Sequence, residues 1–395
     1  MGWDAMSIVS SRAPLPICVA ATVLLAACGS SSGGGSSSSA APSAPGVTST
    51  SILFGQTAPQ SGPAAQYGQS TSGVEAYFSY VNDHGGVQGR KLQLKSLDDQ
   101  YTPAVSLQET RQLIDQDHVF AEVACNGSAT SIANLGAQTP VQIPVIGVQT
   151  GATIFAGTFR KFLYNVWPSY LTEGKLLGSY AKDTLHLKKI GVLYQNDDFG
   201  KSLYQGVQNA GITPSPAIPY DTTQANFGPQ AEQFKAAGVD GVIILAIPRP
   251  TIAFLNAMAA INYHPARLMS QVSAIPQSFS AAAGEFPGSY IGAFIPPLDD
   301  LSNPDIKSFS DAMQKYEPGK PISVFAAWGW TEAQVAVAGL RKVQGALTRE
   351  SYLQGLDQVQ NFHTMGGTIS YSSTAHPGIK HMFLVQATTD KVVRV

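Results

Sequence analysis

The chain has 395 residues, enough for two sizeable cores, with 44% apolar residues and a formal net charge of -2. That balance supplies no basic field for nucleic acid or an anionic bilayer and excludes nucleic-acid binding as a primary role. Beyond one short run near the N-terminus, no apolar stretch approaches the length of a membrane span.

Arg12 followed by the apolar run Ile17 to Ala27 reads as a secretory signal, because the run is too short to cross a bilayer comfortably. Leu25-Ala26-Ala27-Cys28 comes directly after it and resembles the bacterial lipobox, in which small residues fit the signal peptidase and the cysteine thiol receives a diacylglycerol. Residues 1–27 are thus expected to be a lipoprotein signal peptide and Cys28 the lipidation site. Residues 28–47, rich in Gly, Ser and Pro, are expected to form a flexible tether. Cleavage removes Asp4 and Arg12 and leaves the net charge unchanged. Cys28 and Cys125 remain; with Cys28 acylated, Cys125 has no intramolecular partner and reads as a buried, inert thiol.

From Ser51 short apolar runs alternate with amphipathic stretches, the pattern of strand and helix units built into parallel sheets. Ile52 to Thr57 reads as the first strand; Val74, Tyr77, Phe78 and Val81 lie at helical spacing before a Gly85-Gly86 stop. Leu92, Leu94 and Leu97 mark a second strand. Thr102 and Pro103 open a helix running to Asp117. Val119 to Cys125, a helix from near Ser128, and Val141 to Val148 continue the alternation.

The grammar restarts after Pro168, with helices at Leu171 to Leu185, Gly200 to Ala210 and Phe227 to Ala237, and strands at Lys189 to Gln195, Ala217 to Tyr220 and Gly241 to Ile247. A helical section from Asp305 to Leu356 and short strands near Gly367 to Tyr371 and Met382 to Gln386 close the chain. Two α/β halves in tandem make a cleft, and such clefts bind ligands at the carboxyl ends of strands.

Ser61-Gly62-Pro63-Ala64-Ala65-Gln66-Tyr67-Gly68, then Gly73, then Val81 to Leu92 (VNDHGGVQGRKL) and Asp98-Asp99 resemble the opening of the leucine/isoleucine/valine-binding proteins. Ile143 to Gly147, Tyr194 to Gly200 and Ala327 to Ala333 agree in order, so the resemblance spans about Ser51 to Val395. It implies an α/β type I periplasmic-binding-protein fold, with two Rossmann-like lobes, a ligand cleft and three crossover segments, near Tyr164 to Trp167, Gly292 to Ile295 and Lys380 to Met382. Lobe 1 would comprise residues 48–165 and 296–380, and lobe 2 residues 166–295 and 381–395. A monomeric clamp on the outer face of the cytoplasmic membrane is implied. It would deliver an amino acid, organic acid or amide to the permease of an ABC importer, without a cofactor and without catalysis.

The same resemblance implies the ligand contacts. Tyr67 would stand over the ligand, or pack on its own lobe. Asn126, Gly127 and Ser128 form a turn opening a helix, where free backbone N–H groups suit a carboxylate; N-capping by Ser128 is compatible with that role. Gln149, Thr150 and Gly151 match a second set of contacts. Phe199 and Trp330 match aromatics that wall the pocket, core packing being the other reading. Where amino-acid-binding relatives place a carboxylate for the ligand ammonium, this chain has Gln271 or Val272, and a family tyrosine becomes Ile247. Arg249, in Ile247-Pro248-Arg249-Pro250, would meet an acid or lie solvated in a loop. Gln100 and Tyr101 stand where a partner for Cys125 would be expected.

An enzyme has little support. Gly-x-Ser-x-Gly, phosphate-binding-loop and His-Glu-x-x-His motifs are absent, and His84, His118, His186, His264, His363, His376 and His381 are scattered without ligand spacing. A sensory component without transport is the other reading, since the same clamp serves receptors.

Overall fold

The structure, a computed structural model, describes residues 44–273, 281–282 and 284–395. The signal peptide, Cys28 and the tether as far as residue 43 lie outside the described residues. The last tether residues are corrected by the structure: Val47 is buried, forms an antiparallel bridge to Ile52, and belongs to the core. Gly46 allows this: it sits at φ +72, and a Cβ there would lie only 2.3 Å from the Phe120 backbone nitrogen.

The first sheet is wholly parallel, in the order β2-β1-β3-β4-β5, from β1 (Ser51–Ala58), β2 (Lys91–Asp98), β3 (Ala121–Asn126), β4 (Val145–Gln149) and β5 (Leu163–Tyr164). Its central strands β3 and β4 are buried throughout, as continuous apolar runs require when helices cover both faces. The covering helices are α1 (Gln69–Asp83), α2 (Pro103–Asp115) and α3 (Ser128–Val141), with α4 (Thr153–Ala156) a single turn. Gly85 and Gly86, both at positive φ, end α1, and the Gly86 amide donates back to the Val81 carbonyl.

The second sheet has the order β14-β13-β10-β9-β8-β6-β7. Its strands are β6 (Ile190–Gln195), β7 (Ala217–Tyr220), β8 (Gly241–Leu245), β9 (Ala266–Met269), β10 (Tyr290–Ala293), β13 (Phe383–Ala387) and β14 (Val392–Arg394). The pairs from β7 to β10 are parallel, and β13 and β14 add antiparallel edges. Helices α5 (Tyr170–Ser179), α6 (Asp198–Gln208), α7 (Gly228–Ala236) and α8 (Pro248–Ala260) accompany it. The segment Ile247 to Pro250, read from sequence as a loop, opens α8: a proline in the first helical turn lacks only an N–H that would have no partner there.

After β10 the chain enters α9 (Pro304–Tyr316), α10 (Val324–Lys342) and α11 (Arg349–Asp357), then the hairpin β11 (Phe362–Thr364) and β12 (Gly367–Ile369). α10 is buried over most of its length and packs against α1, β3 and β4, so this return section joins the first sheet. Three passages therefore link the sheets, after β5, after β10 and before β13. They hold one another: the Ile379 amide donates to the Val166 carbonyl, and the Trp167 and Phe294 rings lie 5.4 Å apart.

Candidate functional site

The carboxyl ends of both sheets face each other across one small cavity. The first sheet and its helices contribute Tyr67, Tyr101, Asn126, Gly127, Ser128, Gln149 and Trp328; the passage after β5 and α5 contribute Trp167 and Tyr170; the second sheet contributes Phe199, Ile247 and Val272. With the lobes in contact the cavity has only about 10 Å³ of free volume, room for roughly one water. Entry of a ligand requires the lobes to part. Among the described residues no charged side chain lines this cavity.

Its polar edge is built at the start of α3. Gly127, at φ +94, is the N-cap, and no side chain caps the helix. A Cβ there would lie 2.6 Å from Thr130 Oγ1 and 2.8 Å from the Tyr101 ring, so glycine is needed. The expected N-cap role of Ser128 is corrected: it is the first helical residue, and its hydroxyl shares a 2.7 Å hydrogen bond with Thr150 Oγ1 instead. The helix N-terminus thus offers its amides and the positive end of its dipole to the cavity.

Behind this edge runs a relay. Asn126 Nδ2 donates to Gln149 Oε1 at 2.8 Å, and Gln149 Nε2 donates to Glu332 Oε2 at 2.8 Å. Gly147, at φ +67 on β4, makes space for Glu332, since a Cβ would sit 2.5 Å from Glu332 Cγ. Burial raises the Glu332 carboxyl well above the usual range, opposed only by the Gln149 amide. Asn126 Oδ1 and Trp167 Nε1, an acceptor and a donor in the cavity wall, are buried without a partner among the described residues.

Aromatic side chains close the rest. Tyr67 donates through its hydroxyl to the Val272 carbonyl at 2.9 Å, tying one lobe to the other. Tyr101 sits at φ +58 in a turn pinned by Asp99, whose carboxyl accepts from the Tyr101 amide at 2.8 Å, and its ring lines the cavity. Trp328 stands 4.5 Å from Trp167 and 4.8 Å from Phe325. In the second lobe Asp197 caps α6, accepting from the Phe199 and Gly200 amides and from Gln195 Nε2, and so orients Phe199.

The structure brings Tyr67, Asn126, Gly127, Ser128, Gln149, Phe199 and Val272 together, and places four expected residues elsewhere. Trp330 packs in the core against Tyr77 at 4.8 Å and Phe309 at 5.6 Å, because residues two apart on a helix point to nearly opposite faces; Trp328 takes the cleft position. Arg249 is exposed in the first turn of α8 and does not line the cavity. Thr150 stands behind Ser128. Gly151 admits the close passage of Pro168 and Tyr170, whose backbone atoms lie 2.1 Å and 2.6 Å from where a Cβ would be. Ile247, read from the sequence as standing where the family has a tyrosine, lines the cavity, whereas Tyr101, Trp167, Tyr170 and Trp328 were not among the expected contacts; the first could have been suspected from its place directly after a strand's carboxyl end. Cys125 is buried and unpaired by any disulfide.

The buried acids set a pH dependence. Burial pushes Glu122, Asp99 and Glu173 up to about 7, and raises Glu332 well above the usual carboxylate range. Below the unfolded value near 4.5 both states are protonated and these groups contribute nothing. As pH rises through the unfolded value the unfolded chain releases protons that the folded chain keeps, so stability falls until pH passes the folded value. Melting temperature is expected to decline from pH 5 to pH 8, and Glu332→Gln is expected to make the decline smaller, as thermal melts at several pH values would show. An equal decline in the variant would mean that Glu332 is ionised in the fold.

Two parallel α/β lobes closing carboxyl end to carboxyl end over an uncharged cavity define a solute-binding clamp. The chain belongs to the periplasmic binding protein family, whose sequence model matches residues 51–391. It is 23% identical over 339 residues to Leu/Ile/Val-binding protein homolog 1 of Brucella abortus (strain 2308), covering 82% of this chain and 87% of that protein. Among solved structures, a possible leucine/isoleucine/valine-binding protein from Rhodopirellula baltica SH 1 superposes with a TM-score of 0.81 at 22% identity, covering 88% of this chain and 96% of that one. A fatty acid ABC transporter substrate-binding protein from Thermomonospora curvata gives 0.81 at 22% identity, covering 89% and 93%. A branched chain amino acid ABC transporter protein from Thermus thermophilus with bound valine gives 0.79 at 17%, covering 88% and 95%. Among the described residues no helix is long and apolar enough to cross a membrane.

Proposed function

We propose that this chain is the extracytoplasmic substrate-binding lipoprotein of an ABC importer, anchored through Cys28, and that its ligand is a small apolar organic acid or amide without an ammonium group. The observation that carries the reading is the cavity wall itself: helix N-terminal amides on one side, Phe199, Ile247, Val272 and Trp328 on the other, and no charged side chain among the described residues. A ligand ammonium enclosed there would be desolvated without a counter-charge, at a cost of several kcal/mol. A carboxylate or amide oxygen meets donors, and an apolar body meets apolar walls. The relatives named above bind, by their names, both branched-chain amino acids and a fatty acid, so the fold accommodates ligands with and without an ammonium group.

Binding energy comes from both lobes only when they are closed, so the ligand shifts the clamp from open to closed, and the closed form is the one offered to the permease. A thermal-shift comparison of branched-chain amino acids with acids and amides of the same carbon skeleton tests this reading. A ligand at a hundred times its dissociation constant adds roughly 2.7 kcal/mol, well within detection. Stabilisation by the amino acids alone would overturn it.

A further inference from the structure

We propose that the ligand site continues past Trp328 into a second, apolar cavity of about 300 Å³ that receives the hydrocarbon tail of an organic acid. The inference rests on the cleft reading above and extends it from a short acid to an acid with a chain. The second cavity lies between the same two lobes: β10 with its continuation through Pro296 and Pro297, and β13 and β14, form one side, and Ile322 to Val324 at the start of α10 the other. Trp328 is in the wall of both cavities, and Gln271 in the second is the chain neighbour of Val272 in the first.

The two cavities divide the work of one amphipathic ligand. The cleft holds the donors but, with the lobes in contact, has room for roughly one water and takes a head group only when they part, whereas the second cavity has volume at the lower end of the small-molecule range and walls such as Ile291, Phe294, Ile295, Ile322 and Val392. The groove opens to solvent past Asp299, Asp390 and Lys391, and its inner walls are mostly apolar, so a hydrocarbon chain lying in it would remove apolar surface from water. Of the buried polar side chains in its wall, Ser323 accepts from the Ala326 amide at the start of α10, and Gln271 is held by Glu173, its backbone N–H donating to Oε1 at 2.6 Å and its Nε2 to Oε2 at 3.3 Å, while Gln271 Oε1 has no partner among the described residues. Lys391 and Asp299, both half-exposed, face each other at 3.9 Å in the rim.

The experiment is isothermal titration of the protein with straight-chain monocarboxylates from butanoate to dodecanoate, repeated on Ile322→Trp and Val392→Trp, which fill the second cavity from opposite lobes. Affinity is expected to climb about fourfold per added methylene until the cavity is full. The ratio of decanoate to butanoate affinity is expected to fall at least tenfold in each filled variant, circular dichroism confirming the fold; should one variant fail to fold, the other and the chain-length series carry the test. Acids that bind with no gain beyond butanoate, or with the same gain in the filled variants, would overturn the tail cavity while leaving the cleft reading in place. Failure of every acid to bind would overturn the tail cavity and leave only the amide half of the cleft reading.

Discussion

Gly73→Ala is expected to destabilise the folded body by roughly 3 kcal/mol or more, the upper end of overpacking costs. Gly73 lies on α1 where it crosses α10, and a Cβ would sit 1.8 Å from the Ala326 carbonyl oxygen and 2.9 Å from the Trp330 amide nitrogen. Gly329 answers from the other helix, with 2.0 Å between its would-be Cβ and the Ser70 carbonyl oxygen. Both obstacles are backbone, so no rotamer change relieves them and the helices must separate. α10 also carries Trp328 into the cleft and Glu332 behind it, so separation disturbs the site as well as the core. Urea denaturation gives the comparison directly: the midpoint falls sharply with an unchanged slope. A loss below about 1 kcal/mol would mean that the two helices do not pack this closely.

Val272→Glu is expected to weaken binding of a small apolar acid by about a hundredfold or more. The Val272 carbonyl is held by Tyr67, which fixes the backbone and leaves the side chain in the cavity wall opposite α3. A carboxylate introduced there faces the ligand carboxylate in a space closed to water, and like charges so placed cost several kcal/mol. The same variant supplies the counter-charge that the wild-type wall lacks, so leucine is expected to gain on the acid. Titration calorimetry with both ligands reads the two changes; unchanged acid affinity would place the carboxylate elsewhere.

Much of the fold was legible because its signals are local. Buried parallel strands read as apolar runs, and the stop at Gly85-Gly86 and the opening at Thr102-Pro103 are backbone chemistry that short segments dictate. α8 was missed because two prolines close together look like a loop until the first helical turn is recognised as the place where they do no harm. The site was legible where a motif sits at the end of a strand, as with Asn126 to Ser128. It was not legible where tertiary packing chooses between neighbours. Trp328 and Trp330 are equally aromatic and two residues apart; only the side on which α1, with Tyr77, lies against α10 decides which of them faces the cleft. Tyr101 reaches the cavity through a left-handed turn held by Asp99, and nothing in a tyrosine predicts that conformation. Glu332 looks like an ordinary helix residue, and its burial becomes visible only once Gly147 is seen opposite it.

Selection against an ammonium group is read out by a matched pair in titration calorimetry: leucine against 4-methylpentanoate, which is the same molecule without its amino group. 4-Methylpentanoate is expected to bind measurably and leucine at least a hundredfold more weakly. Leucine binding as tightly as the acid, or more tightly, would contradict that selection.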